Sequence, residues 1–150
     1  MRLQKKACKQ IVLYSDGSSL GNPGPGGYGG ILRFKDKEKI FSGGEAHTTN
    51  NRMELRGVIE GLKLLKEPCR VDVYSDSSYV VNAINEWLKG WIAKDFKKVK
   101  NDDLWKEYIE VAKPHTVKGH WVKGHDGHKE NEICDQLAKN EALKYQAKLI

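Results

Sequence analysis

Residues 11–18 read Ile11-Val12-Leu13-Tyr14-Ser15-Asp16-Gly17-Ser18, an apolar run broken by an acid and a glycine, and residues 74–78 nearly repeat its ending as Tyr74-Ser75-Asp76-Ser77-Ser78. Four apolar residues without alternation predict a strand covered on both faces and central in a sheet. Val71-Asp72-Val73-Tyr74 predicts a further strand, reached by a helical crossover and hence parallel to an earlier one, and the decisive case is that in which it lies parallel and adjacent to the strand of residues 11–16. Each strand would end at its aspartate. Both carboxylates would then emerge at one edge, where open α/β sheets gather ligands at the carboxyl ends of their strands. Asp before Gly or Ser also serves ordinary turns and helix caps. The pairing sets these two apart, because adjacent carboxylates repel and a cation relieves the repulsion.

Working outward, Gly21-Asn22-Pro23-Gly24-Pro25-Gly26-Gly27 reads as a loop. It leads into a strand over residues 28–34, and residues 35–38 separate that strand from a return over 39–43, as in a hairpin. Leu55, Val58, Ile59, Leu62 and Leu65 recur at helical spacing, which predicts a helix over 51–66 closed by Pro68. A helix begun at Asp76 or Ser77, another over 102–112, a strand over 115–122 and a last helix from Glu130 complete the pattern. The fold class is α/β. Its sheet is mixed, with three antiparallel strands followed by two parallel ones, flanked by helices.

A chain of 150 residues suits one domain over 1–150, with residues 1–9 a short N-terminal extension and 144–150 a C-terminal tail. Too few residues precede the first strand for a further domain there. Charged residues make up 31% and no apolar run is long enough to span a bilayer, which excludes a membrane-spanning class. Residues 1–10 show no export leader, so a cytoplasmic location is expected. Cys8, Cys69 and Cys134 are odd in number and widely spaced, as reduced thiols rather than a disulfide framework. The formal charge of +6 favours polyanionic partners.

Two further acids stand out. Glu54 follows Asn51 by three residues, a spacing that also makes a capping box. Asp135 lies between Ile133 and Leu137, which predicts a core-facing side, where an acid without a partner is costly. Two aspartates at strand ends, an acid at a helix start and an acid facing inward supply the oxygen ligands a hard divalent ion needs. A competing set, His120, His125, His128 and Cys134, follows no common zinc spacing, and the acids nearby favour a hard ion.

These residues resemble the type 1 ribonucleases H, close to the bacterial form, over nearly the whole chain. The matching stretches are Asp16-Gly17-Ser18 with Gly21-Asn22-Pro23-Gly24, Thr48-Thr49-Asn50-Asn51-Arg52-Met53-Glu54-Leu55, Ser75-Asp76-Ser77, Trp121-Val122-Lys123-Gly124-His125 and Asn131-Glu132 with Asp135. The resemblance implies a five-stranded mixed sheet and an acidic tetrad of Asp16, Glu54, Asp76 and Asp135. It also implies hydrolysis of the RNA strand of RNA/DNA hybrids, leaving 5′-phosphate and 3′-hydroxyl ends. Two magnesium ions about 4 Å apart would serve an in-line displacement, with manganese as an alternative and Asp16 best placed to bridge them. His125 matches the family's loop histidine, which assists proton transfer and product departure. Without metal, the four acids repel, so at least one should titrate upward as part of a coupled set.

Between Trp87 and Trp105 lysines interleave with large rings, including Lys89, Trp91, Lys97 and Lys98. Lysines neutralise phosphates and rings pack on sugars or bases, although the same pattern fits a helix pair with Trp87, Trp91 and Trp105 in the core. By resemblance this is the basic protrusion that grips the DNA strand, here several residues shorter than in fuller bacterial forms and with Phe96 where a tryptophan is usual. By resemblance too, Asn22, Asn50 and Asn51 would read the minor groove beside Gly17 and Ser18, where 2′-hydroxyls mark RNA. Thr49 and Asn101 match residues that hold a DNA phosphate, and Ser78 replaces a common glutamine. The expected enzyme is a monomer with no obligate protein partner. A non-catalytic hybrid-binding module and another metal-dependent nuclease of the same fold are the competing readings.

Overall fold

The computed structural model describes residues 8–123 and 128–149. Strands β1 (Lys9–Ser19), β2 (Gly24–Phe34) and β3 (Lys37–Thr48) form an antiparallel meander, followed by helix α1 (Asn50–Lys63) and strand β4 (Cys69–Ser75). Helix α2 (Ser78–Asn82), a π-helical turn (Ala83–Trp87) and helix α3 (Leu88–Ala93) then form one nearly continuous rod. Helix α4 (Asp102–Ala112), strand β5 (Thr116–Trp121) and helix α5 (Lys129–Ala147) complete the fold. The sheet order β3-β2-β1-β4-β5 makes β1 central. It runs parallel to β4 from Lys9 opposite Cys69 to Tyr14 opposite Tyr74, and β4 in turn runs parallel to β5.

One face of the sheet carries the main core. Leu13, Val71 and Val73 pack with Leu55, Val58, Ile59 and Leu62 of α1 and with Leu104, Trp105 and Tyr108 of α4, all buried. On the other face α5 sits over β2, because β2 offers glycines where the helix needs room. A Cβ at Gly27 would lie 2.3 Å from the Ala138 carbonyl oxygen, and one at Gly29 only 2.5 Å from Leu137 Cβ. Cys134, Ala138 and Ala142 are accordingly the fully buried positions of α5.

The expected topology is observed, with several local corrections. Over residues 11–14, strand β1 is fully buried only on its Ile11 and Leu13 side. Helix α5 covers β2 and leaves β4 and β5 open, so Tyr14 is half-buried, 5.5 Å from the Tyr74 ring. Nor does β1 stop at Asp16, since the antiparallel ladder with β2 continues from Asp16 opposite Gly29 to Ser19 opposite Gly26. The segment from Gly24 is therefore strand rather than loop. Helix α1 starts one residue early, because Thr49 Oγ1 accepts the Arg52 N–H at 3.3 Å and caps it, and β5 is a residue shorter at each end. Residues 144–147 are helical instead of a tail, and the Tyr145 ring closes over Gly44 of β3. Ile133 is exposed, so apolar flanks are not what turns Asp135 inward.

At the outer edge of the sheet the π-helical turn brings Asn85 against β5. Its carboxamide accepts the Gly119 N–H at 2.8 Å and donates to the Gly119 carbonyl at 2.9 Å. Both backbone groups of Gly119 are thereby satisfied on the side away from β4.

Candidate active site

The site forms where β1 and β4 part. Asp16 and Asp76 each stand two residues beyond the last β1–β4 pair, Tyr14 opposite Tyr74. Past that pair β1 stays with β2, while β4 ends and the chain turns into α2. Two local hydrogen bonds shape this turn: Ser75 Oγ accepts the Ser77 N–H at 3.1 Å, and Ser77 Oγ accepts the Val80 N–H at 3.2 Å, capping α2. Strand β5 secures it from the other side. The Val122 N–H donates to the Ser75 carbonyl at 2.8 Å, and Trp121 Nε1 donates to the Asp76 carbonyl at 3.2 Å.

Glu54 reaches the pair because α1 crosses β1 at Gly17. A Cβ at Gly17 would lie 2.3 Å from the Glu54 backbone nitrogen and from the Met53 carbonyl carbon, so only glycine allows this approach. With Thr49 as the cap, Glu54 has no capping-box role. Its carboxylate joins Asp16 and Asp76 instead, and one oxygen from each of the three lies within 4.8 Å of the others. Ligands about 2.1–2.5 Å from one hard cation stand at most about 5 Å apart, so the spacing fits such an ion. Glu54 Oε1 is buried without a hydrogen-bond partner, an unmet acceptor of the kind a cation satisfies.

Electrostatics agree with that fit. Asp16 is buried; desolvation, then the facing Asp76 charge, pushes its pKa up to about 7, although the Gly17 N–H donates to its Oδ1 at 2.8 Å. Glu54 is raised well above the ordinary carboxylate range, first by burial and then by the Asp16 charge. The upward titration expected of at least one acid thus holds for these two. Asp135 lines the same cleft, of about 370 Å³, but stands outside the group of three and pairs with Lys139 at 3.0 Å.

Gly17, Ser18, Asn50, Asn51 and Ser78 line this cleft with the acids, and so does Tyr79, to which no sequence motif points. A second hollow adjoins it, bounded by Asn22, Thr49, Asn50, Asn51, Lys100 and Asn101. The amides at its rim are preset. Asn50 Oδ1 accepts the Ser19 N–H at 2.8 Å and Asn22 Oδ1 accepts the Asn50 N–H at 2.9 Å. Their oxygens are engaged, which leaves the NH2 groups as the donors offered to a ligand.

Lys89, Lys97 and Lys98 are exposed on the segment from α3 to α4. Its rings run from surface to core: Trp87 is 41% exposed, Trp91 half-buried and Trp105 fully buried, with ring centroids 6.0 and 5.5 Å apart in turn. Of the two readings of these tryptophans, core packing therefore describes Trp105 and an accessible ring describes Trp87. Phe96 is buried, with Lys106 Nζ over its ring at 5.6 Å. The competing zinc set is not assembled among the described residues. His120 pairs with Asp72 at 2.7 Å, and Cys134 is fully buried with its thiol pushed up to about 12. His125 lies outside the described residues.

A carboxylate-floored cleft at the parting of two parallel strands, with amide-bearing walls and Lys100 in the adjoining hollow, defines the class of metal-dependent enzymes that act on phosphodiesters. The RNase H family model matches residues 8–143. A ribonuclease H of Sulfurovum sp. (strain NBC37-1) is 74% identical over 147 residues, covering 98% of this chain and all of that protein. A ribonuclease HI of Helicobacter pylori (strain ATCC 700392 / 26695) is 64% identical over 136 residues, covering 91% of this chain and 95% of that protein. Among solved structures, LC9-RNase H1, described as a type 1 RNase H with the type 2 active-site motif, superposes with a TM-score of 0.86. It is 31% identical, over 95% of this chain and 76% of its own. The chain belongs to the RNase H family and is a ribonuclease of the type 1, bacterial HI-like kind.

Proposed function

We propose that the protein is an endonuclease that hydrolyses the RNA strand of RNA/DNA hybrids with two divalent ions, leaving 5′-phosphate and 3′-hydroxyl ends. The observation that carries this reading is the group of Asp16, Glu54 and Asp76, with ligand oxygens within 4.8 Å and an unmet buried oxygen on Glu54. Asp16, Glu54 and Asp76 would hold the ions, and Asp135, which lines the same cleft, would complete the shell. Magnesium bound there supplies charge neutralisation at the scissile phosphate and activation of water for in-line attack. Manganese is the alternative ion.

The chain's own residues do the rest. Gly17 and Ser18 leave the floor open to the backbone of the RNA strand. The NH2 groups of Asn22, Asn50 and Asn51 donate to minor-groove acceptors and 2′-hydroxyls, which distinguish RNA from DNA. Thr49 and Asn101 hold a phosphate of the DNA strand in the adjoining hollow, and Ser78 makes a shorter contact to RNA. Trp87, Lys89, Trp91, Lys97 and Lys98 grip the DNA strand, and His125 moves a proton and speeds product departure. The enzyme works as a cytoplasmic monomer with no obligate partner, consistent with its free cysteines.

The test is to offer labelled RNA/DNA hybrid, duplex DNA, duplex RNA and a four-way junction, each with magnesium or with chelator. Magnesium-dependent cutting confined to the hybrid's RNA strand is expected. Cutting of DNA would overturn the reading, and binding without cutting would favour a non-catalytic module.

A further inference from the structure

We propose that Tyr79 is a positioning residue for substrate phosphate: its hydroxyl orients Asn101 and so couples the amide-lined hollow to the acid-lined cleft. This rests on the hybrid-nuclease reading above. Tyr79 lines the cleft that holds Asp16, Glu54 and Asp76, whereas Asn101 lines the neighbouring hollow. Asn101 Nδ2 donates to the Tyr79 hydroxyl oxygen at 3.1 Å, and Trp105 Nε1 donates to the same oxygen at 2.9 Å. The Tyr79 ring is itself braced, with centroids 6.0 Å from Trp105 and 6.5 Å from Trp87.

The donor chemistry fixes which way the Asn101 amide points. Arg52 can only donate, and its Nη1 lies 3.2 Å from Asn101 Oδ1, so that side must be the carbonyl. The same guanidinium forks onto Asp103 at 3.0 and 2.7 Å, which holds it in place. One amide hydrogen of Asn101 is spent on Tyr79, and the second is available to a ligand in the hollow. Asn101 gains this orientation at a left-handed residue, φ 60° and ψ 28°, which asparagine tolerates better than most. It precedes α4 as the cap residue yet makes no side-chain capping bond. Its side chain is committed to Arg52 and Tyr79 instead. A donor held rigidly beside exposed Lys100 suits a phosphate oxygen.

A double-mutant cycle on the full chain with magnesium tests the coupling. Tyr79→Phe keeps the ring and removes only the hydroxyl, and it should raise KM for a short hybrid about three- to tenfold, as loss of one neutral hydrogen bond allows. The change in kcat should stay within about twofold, since the hydroxyl does not touch the reacting atoms. Asn101→Ala should raise KM at least as much, and the double variant should be no worse than Asn101→Ala alone. Methylphosphonate placed singly along the DNA strand gives a second readout. One neutral linkage should weaken binding by the unaltered protein, weaken it less with Tyr79→Phe, and leave Asn101→Ala indifferent.

Multiplying effects in the double variant, a change in kcat at constant KM, or no linkage whose penalty Tyr79→Phe reduces would each overturn the proposal. Should Tyr79→Phe fail to fold, Arg52→Lys keeps the charge and removes the other restraint on Asn101. It should then show the same KM effect and the same non-additivity with Asn101→Ala, and additivity would overturn the proposal. Cleavage of the hybrid by the unaltered protein separates the two levels. If that cleavage is absent, the functional reading fails and takes this inference with it; if it is present and the cycle is additive, only Tyr79 loses its role.

Discussion

Asp16 is buried, faces Asp76 and is raised to about 7 from 3.8. Between about pH 4 and pH 7 the metal-free folded chain keeps a proton there that the unfolded chain has released, so the fold loses stability as pH rises through that window. Asp16→Asn removes the charge while keeping the shape. It should abolish cleavage, retain hybrid binding, and raise the chelator-treated Tm above neutral pH by on the order of 5 °C, about 2 kcal/mol in a domain of this size. Melting scans across pH check the second part, and cleavage near wild-type rates would remove Asp16 from the metal shell. At this scale the sequence was uneven. Asp16 and Asp76 were legible because the chain repeats their surroundings. Glu54 was legible as one of the acid set, but its spacing from Asn51 kept a capping-box reading open until Thr49 is seen to take the cap. Tyr79 carried no signal, and Arg52 and Trp121 were legible only as members of the matching stretches, because their bonds to Asn101, Asp103 and the Asp76 carbonyl join segments far apart in the chain.

Among the elements, the crossing of α1 over β1 sets the site. Gly17→Ala would drive a methyl into the Glu54 and Met53 backbone, which cannot rotate away. A loss of about 3 kcal/mol in denaturant unfolding is expected, toward the upper end for overpacking, with cleavage falling further than stability alone explains. The segment carrying Lys97 and Lys98 offers a separate test. Changing both to glutamine should weaken hybrid binding and reduce the slope of log affinity against log salt by up to about 0.9 for each phosphate no longer neutralised; an unchanged slope would remove these lysines from the interface. Strand and helix types followed from periodicity, and α4 matches the predicted 102–112. The start of β2 shifted because glycine there replaces the usual signal. Gly24–Gly27 reads as loop in isolation but is strand because α5 needs the bare surface of β2, and the small residues Cys134, Ala138 and Ala142 hid the buried face of α5.

For the whole molecule, the central pair β1–β4 splits apart where the carboxylates gather, so folding itself drives three acids together. A cation that binds only this assembled arrangement stabilises the fold by mass action. Added magnesium should therefore raise the Tm of the unaltered chain at neutral pH, chelator should reverse the shift, and Asp16→Asn should show little of it; an unmoved wild-type Tm would argue against ion binding at this site. The crossover rule makes β4 parallel to an earlier strand; that it lies beside β1, so that residues 16 and 76 meet, is a condition the sequence leaves open and the sheet order supplies. The outer rim of the sheet was not readable, because the Asn85 contact depends on a π-helical turn that no local pattern announced. That contact has a bearing on how the molecule behaves in company. A bare edge strand is a template on which a second chain can grow by backbone pairing. By filling both groups of Gly119 with a side-chain amide, the molecule presents a rim already occupied in the middle of β5, which opposes growth of the sheet from that edge into a second copy.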